Sequence, residues 1–302
     1  VRIGTFEFFA SRGDLEAVKI LADYSIERHY PSAKTFENPY LQFLKCVAEA
    51  QSSLVAQWMA VGFIHGVMNT DNMAISGETL DFGPCAFMDN FAFDRVYSSI
   101  DRHGRYSYNN QIPIAIWNLY RLAECLIPLL DSEPQKGQAV AQNFLEEIKE
   151  IYQQNWLDKM RPKLGLQSTE PEDESLINQW LQYLEIEDLD FTLSFRNLDP
   201  TSASSSESQL FKSFHQKWLV RLQQQSIPLD QIKNAMNNVN PLFIPRNHQV
   251  EKAIQGALVQ DYSIFEELKQ VLKNPYGDQD RFKQYQTPPL PNERIAATFC
   301  GT

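Results

Sequence analysis

The chain has 302 residues, 43% of them hydrophobic and 12% aromatic, enough apolar material for one large or two ordinary domains around a substantial core. Its formal charge of −11 argues against nucleic acid or an anionic membrane surface as partners, because both recruit clustered Lys and Arg. The most apolar stretch, roughly 54–68, is interrupted by Gln57 and His65 and falls short of the ~20 residues of a bilayer span, so no membrane partner is expected.

In chain order, Val1 to Phe6 reads as the end of a strand inside a domain, without an initiator Met, and a missing part upstream is expected. Asp14 is placed to cap a helix in which Leu15, Val18, Leu21, Ala22 and Ile26 follow helical spacing, up to about His29 before Pro31. A second helix from Pro39 carries Leu41, Leu44, Ala48, Val55, Trp58 and Met59 on one face and delivers the chain to Gly62. Met73 and Ile75 alternate with Ala74 and Ser76, Gly77 turns, and Thr79 and Leu80 return, which predicts a tight hairpin. From Phe82 to Asn110 the chain is irregular and rich in aromatic and charged residues. A strongly apolar helix then covers 114–130, followed by helices at roughly 137–160, 173–187, 207–224, 228–238, 248–258 and 261–273. The spacers 167–174 and 201–208 are polar and expected to be exposed, and the acidic run Glu185 to Asp190 is expected to be a solvated helix end. Beyond Asn274 the Pro-rich closing segment is expected to be extended and irregular.

The chemistry concentrates between His65 and Asp81. The run His65-Gly66-Val67-Met68-Asn69-Thr70-Asp71-Asn72 has the His-to-Asn spacing of a kinase catalytic loop, H-R-D-x-x-x-x-N, and Asp81-Phe82-Gly83 follows it as D-F-G follows in kinases. The hairpin would bring Asn72 and Asp81 to neighbouring strand ends, where two oxygen ligands can share a hard cation that keeps waters and phosphate as its other ligands. Val67 occupies the place of the aspartate that accepts a substrate proton, and an apolar side chain cannot do so. Asp71 either caps the turn before Met73 or serves as a carboxylate that positions or deprotonates an attacking hydroxyl. His65 is expected to brace the loop, and Arg2 is either an ordinary strand-end charge or a phosphate clamp. No H-E-x-x-H, G-x-S-x-G or G-x-G-x-x-G occurs, which removes the usual support for zinc protease, hydrolase and Rossmann readings. Cys46, Cys85, Cys125 and Cys300 are widely spaced with no C-x-x-C pair, so free thiols in a reducing compartment are expected.

Together these residues resemble the selenoprotein O family, kinase-like proteins that transfer AMP to proteins. The resemblance is carried by Arg2-Ile3-Gly4-Thr5-Phe6-Glu7, the His65-to-Met73 run, Asp81-Phe82-Gly83-Pro84, Gly104-Arg105-Tyr106, Trp117-Asn118-Leu119, Pro245-Arg246-Asn247, Asn274-Pro275-Tyr276 and Phe299-Cys300-Gly301-Thr302. It implies a mainly α (α+β) fold: a kinase-like C-lobe with a small catalytic-loop hairpin over 1–132 and a helical C-terminal extension over 133–302. It further implies a nucleotide bound in the reverse sense to a kinase's, with AMP going from ATP to Ser, Thr or Tyr hydroxyls of proteins and pyrophosphate released. By position, Asp71 is then the base, Asn72 and Asp81 hold Mg2+ or Mn2+, and Arg2 holds the inverted phosphate tail. Cys300 stands where some members carry selenocysteine, and the family's proposed redox disulfide would here join it to Cys85.

The glycine-rich loop, strand lysine and helix glutamate of a kinase N-lobe are absent from this chain, so it is expected to be a C-terminal portion that is inactive and binds ATP weakly alone. The family implies a cytoplasmic protein if bacterial and a mitochondrial one if eukaryotic. Two other readings stay open: a pseudokinase scaffold without transfer, and conventional phosphotransfer with Asp71 replacing the lost aspartate.

Overall fold

The computed structural model describes residues 1–202 and 208–299. Its first element corrects the sequence reading, because Ile3–Ala10 is a helix (α1) and not a strand end. Ile3 and Phe6 are both fully buried, and over so short a stretch helical and strand periods are not distinguishable. A trace of strand pairing remains where Arg2 bridges Ala74 and the Ile3 N–H donates to the Met73 carbonyl at 3.0 Å.

The next two helices follow their caps. Leu15–His29 (α2) begins where the Asp14 carboxylate accepts from the Ala17 N–H at 3.0 Å. Pro39–Ala60 (α3) begins where the Asn38 side chain accepts from the Leu41 N–H at 3.0 Å, with Pro39 at a position that has no helical donor to lose. The chain then forms β1 (Phe63–Ile64), which pairs antiparallel with β2 (Ala86–Phe87), Phe63 opposite Phe87.

The expected hairpin over 73–80 shrinks to one antiparallel bridge, Met73 with Thr79, around Gly77. Met73, Ala74 and Ile75 are all buried, so the alternation does not separate two faces, and their backbone groups find other partners. Ile75 N–H donates to the Val1 carbonyl at 3.0 Å, Tyr30 Oη donates to the Ile75 carbonyl at 2.6 Å, and Gln51 Nε2 donates to the Ala74 carbonyl. With those groups satisfied, no second strand is needed.

Gln111–Leu130 (α4) starts three residues before its expected beginning and packs against α1, α3 and Pro134–Lys163 (α5). By length and composition the stretch Tyr108–Leu130 passes as a membrane span; here Leu119, Leu122, Ala123 and Leu126 of that helix are fully buried in the core. Asp173–Ile186 (α6), Gln209–Gln223 (α8), Leu229–Val239 (α9), Asn247–Leu258 (α10) and Ser263–Val271 (α11) match expectation to within two residues at either end. Between α6 and α8 lies an unexpected short helix, Phe191–Asn197 (α7), capped by Asp190, whose carboxylate accepts from the Leu193 N–H at 2.8 Å.

The acidic run before α7 is exposed from Glu185 to Asp188 at the end of α6, as expected, but it is not without partners and its last residue is half-buried. Glu185 accepts from the Phe93 N–H at 2.8 Å, and Asp190 pairs with Arg246. The spacer 167–174 is likewise not wholly exposed, because Asp173 is fully buried between Arg161 and Arg221. One continuous core runs from Ile3 to Met236, and a smaller one gathers Phe243, Ala253, Leu268, Val271, Phe282 and Tyr285. The described chain is thus mainly helical, with a single two-stranded sheet.

Candidate functional site

The loop that follows β1 is held from several sides by amide and indole groups. Gln111 at the start of α4 accepts from the His65 N–H at 3.1 Å and donates to the Phe63 carbonyl at 3.0 Å. Asn118, one and a half to two turns further along α4, donates to the Met68 carbonyl at 2.9 Å. The fully buried His65 ring packs on Trp58 and donates from Nε2 to the Leu80 carbonyl at 2.7 Å, while its Nδ1 accepts from the Val67 N–H at 3.3 Å. Burial lowers the His65 pKa, so the ring is neutral and works as a strut between the loop and the residue before Asp81.

That bracing brings two of the expected residues together. Asn72 Nδ2 donates to Asp81 Oδ2 at 3.1 Å and to the Val67 carbonyl at 3.0 Å, and among the described residues Asn72 Oδ1 has no partner. Asp81 Oδ1 accepts from the Gly83 N–H at 3.1 Å. The Asp81 backbone sits at φ 60, a left-handed conformation that costs energy for a residue with a side chain and persists only where neighbours enforce it. An amide oxygen and a carboxylate side by side are hard donors of the kind Mg2+ and Mn2+ take together with phosphate oxygens and water. Among the described residues no group of three or more His, Cys, Asp or Glu could hold a metal.

Asp71 stands beside this pair on a short 3-10 turn over Thr70–Asn72. Asn69 caps that turn, its Oδ1 accepting from the Asp71 N–H at 3.0 Å, so the capping role that Asp71 might have had is already filled. The Asp71 side chain is exposed, and among the described residues it makes no hydrogen bond or ion pair. It lies against α1, where a Cβ built on Gly4 would fall 2.3 Å from Asp71 Oδ1. Arg2 caps the start of the same helix, exposed, and its guanidinium is likewise without a partner among the described residues.

The segment after Asp81 is packed tightly against the loop. Gly66 has φ 82, and a Cβ there would come 2.8 Å from the Pro84 carbonyl. Cys85 donates its thiol to the Phe82 carbonyl at 3.1 Å, and burial pushes its pKa up to about 11. Thr298 Oγ1 donates to the Pro84 carbonyl at 2.5 Å, and its N–H donates to the Tyr97 carbonyl at 2.7 Å. Cys300 lies outside the described residues, so its expected pairing with Cys85 has no geometry. Gly4, Gln111, Asn118, Arg246 and Asn247 had no role assigned from sequence. The available signals were a polar residue on the buried face of an apolar helix, for Asn118, and glycine inside a helix, for Gly4.

Comparison with known proteins places the chain among nucleotide-transferring proteins by family. The family model described as "Protein adenylyltransferase SelO" matches residues 1–273. "Protein nucleotidyltransferase YdiU" from Rhizobium leguminosarum is 48% identical over 313 aligned positions, covering 100% of this chain and 63% of that protein. Proteins of the same name from Rhizobium meliloti and Bacillus mycoides are 48% and 46% identical over 100% of this chain, which covers 64% and 63% of them. The chain belongs to the SelO family, and it spans a little under two thirds of the length of these relatives.

Proposed function

We propose that this chain carries the reaction centre of a protein adenylyltransferase, which moves AMP from ATP to a Ser, Thr or Tyr hydroxyl of a protein. The observation that carries this reading is the unpartnered Asp71 carboxylate next to the Asn72–Asp81 pair, with Val67 where a kinase keeps its base. Residues 1–132 would form the kinase-type C-lobe and 133–302 its helical extension, with the remainder of the nucleotide site supplied by chain beyond these residues.

Asp71 would accept the proton of the acceptor hydroxyl as that oxygen bonds to the α-phosphorus and the bond from phosphorus to the pyrophosphate oxygen breaks. Asn72, through Oδ1, and Asp81, through its carboxylate, would hold the Mg2+ or Mn2+ that accompanies ATP, and the bound ion supplies charge neutralisation on the phosphates. Arg2, at the start of α1, would meet the phosphate tail with a guanidinium that has no partner among the described residues. His65, Gln111 and Asn118 do no chemistry in this scheme; they hold the loop so that Asp71 and Asn72 need not reorganise.

Full-length protein incubated with ATP labelled on the α or on the γ phosphate separates the readings. Label from the α position on protein, abolished by Asp71→Asn and by Asp81→Asn, supports AMP transfer. Label from the γ position supports a kinase, and no label on protein supports a scaffold.

A further inference from the structure

We infer that Arg246 and Asn247, at the start of α10, are positioning residues for the metal loop, acting from the distant helical extension through β2. The inference rests on the proposed role of Asp81. Asn247 sits 160 positions from Phe87, yet its side chain pairs with both backbone groups of that residue: Phe87 N–H donates to Asn247 Oδ1 at 3.3 Å, and Asn247 Nδ2 donates to the Phe87 carbonyl at 2.8 Å. A carboxamide carries the same donor and acceptor as a peptide group, so Asn247 completes the open edge of β2 as a third strand would. On the other edge Met88 N–H donates to the Gly62 carbonyl at 2.8 Å. β2 is therefore gripped on both sides.

Arg246 secures Asp89, two residues further on. It is 1% exposed, and its Nη1 donates to Asp89 Oδ1 at 2.6 Å and to Asp190 Oδ2 at 2.8 Å. Its Nη2 reaches Asp190 Oδ1 at 3.3 Å, and its Nε donates to the Gln286 carbonyl at 3.0 Å. One side chain thus ties the end of the metal segment to the cap of α7 and to the tail. The paired carboxylates outweigh the burial that disfavours its charge.

Between β2 and Asp81 there is little slack. Pro84 is buried, its carbonyl abuts Gly66 of the catalytic loop, and Asp81 holds a left-handed backbone that its surroundings must impose. Neither Arg246 nor Asn247 touches Asn72 or Asp81. Their effect on the site passes through the placement of residues 84–89.

The test compares full-length protein carrying Asn247→Ala with protein carrying Asp173→Asn, which loosens the extension elsewhere, both held well below their melting temperatures. Mn2+ affinity is read by electron paramagnetic resonance, and protection of the Gly83 amide, which donates to Asp81, by hydrogen exchange. Removing a direct hydrogen-bond partner of a metal ligand typically costs about 10- to 100-fold in affinity, so a support one step further out is set at the lower end, about 10-fold. Asn247→Ala is expected to lose that much and to lose Gly83 protection, with Asp173→Asn changing neither. Asn247→Asp, which keeps the acceptor for the Phe87 N–H and loses the donor, is expected to fall between and guards against a misfolded alanine variant. Wild-type affinity together with unchanged Gly83 protection in both Asn247 variants overturns the inference. Should Asp81→Ala bind Mn2+ like wild type, the metal reading itself fails, and Gly83 protection alone then decides whether Asn247 positions the loop.

Discussion

Gly4→Ala is the substitution that most cleanly separates folding from chemistry in this site. A Cβ at position 4 would stand 2.3 Å from Asp71 Oδ1, 3.1 Å from its Cγ and 3.2 Å from its backbone nitrogen. Unstrained contact lies near 3.5 Å, so the carboxylate oxygen must retreat by about 1 Å. The Asp71 backbone nitrogen at 3.2 Å must give by a few tenths of an ångström, and because its N–H is held by Asn69 Oδ1 at 3.0 Å most of the movement falls on the side chain. Position 4 lies in α1, where alanine is a better helix former than glycine by up to ~1 kcal/mol, so the fold is not expected to suffer. A misplacement of about 1 Å at a reacting group costs about 100-fold in rate, equivalent to about 2.7 kcal/mol. Transfer of α-labelled AMP by full-length protein at saturating ATP is therefore expected to drop by about that factor, with the melting temperature unchanged or slightly raised. Undiminished transfer in a folded Gly4→Ala protein would refute the placement of Asp71 at the reacting hydroxyl.

Asp173 is fully buried and accepts from Arg161 Nε at 3.0 Å and Arg221 Nε at 2.8 Å. Asp173→Asn leaves the buried Arg221 without its counter-ion and Arg161 with only the exposed Asp158, and is expected to cost about 3–5 kcal/mol in urea unfolding; an unshifted midpoint would contradict this. Lys163 is 2% exposed, donates to Asn240 Oδ1 at 2.7 Å, and has its pKa pushed down to about 7 by burial, from 10.5. From pH 7 upward, toward 10.5, the unfolded chain holds a proton that the folded one releases, so wild-type stability gains from this group as pH rises through that window. Lys163→Met should remove that gain, and parallel wild-type and variant stability curves between pH 7 and pH 9 would refute it. Cys85, with its thiol pushed up to about 11, is expected to alkylate slowly with iodoacetamide at pH 8 and faster toward pH 11. Rapid alkylation at pH 7.5 would show that burial does not control it.

Much of the helical scaffold was legible because its signals are local. Asp14, Asn38 and Pro39 mark helix starts by the backbone groups they satisfy, and the apolar spacing of α3 and α4 is long enough to fix a period. The order and spacing of His65, Asn72 and Asp81 pointed to one loop system, and the structure places Asn72 and Asp81 within hydrogen-bond distance. The failures fall where partners are distant in sequence or the stretch is short. The first six residues fit either period, and the hairpin over 73–80 was undone by donors and acceptors from Val1, Tyr30 and Gln51. Asp173 looked like part of a polar spacer because the two arginines that bury it lie 12 and 48 positions away. Asn247 carries no local sign that its amide will complete a strand edge, although its tripeptide with Pro245 and Arg246 was already among the residues that carry the family resemblance.

The central claim concerns where the ion and the phosphorus sit, and one crystal measures both: anomalous scattering locates Mn2+, and the electron density of a bound nucleotide locates the phosphorus. Crystals of the full-length protein grown with Mn2+ and a non-hydrolysable ATP analogue should show the anomalous peak in contact with Asn72 Oδ1 and the Asp81 carboxylate, with the α-phosphorus nearest Asp71. A peak remote from these two side chains, or the γ-phosphorus in the place of the α, would contradict the account.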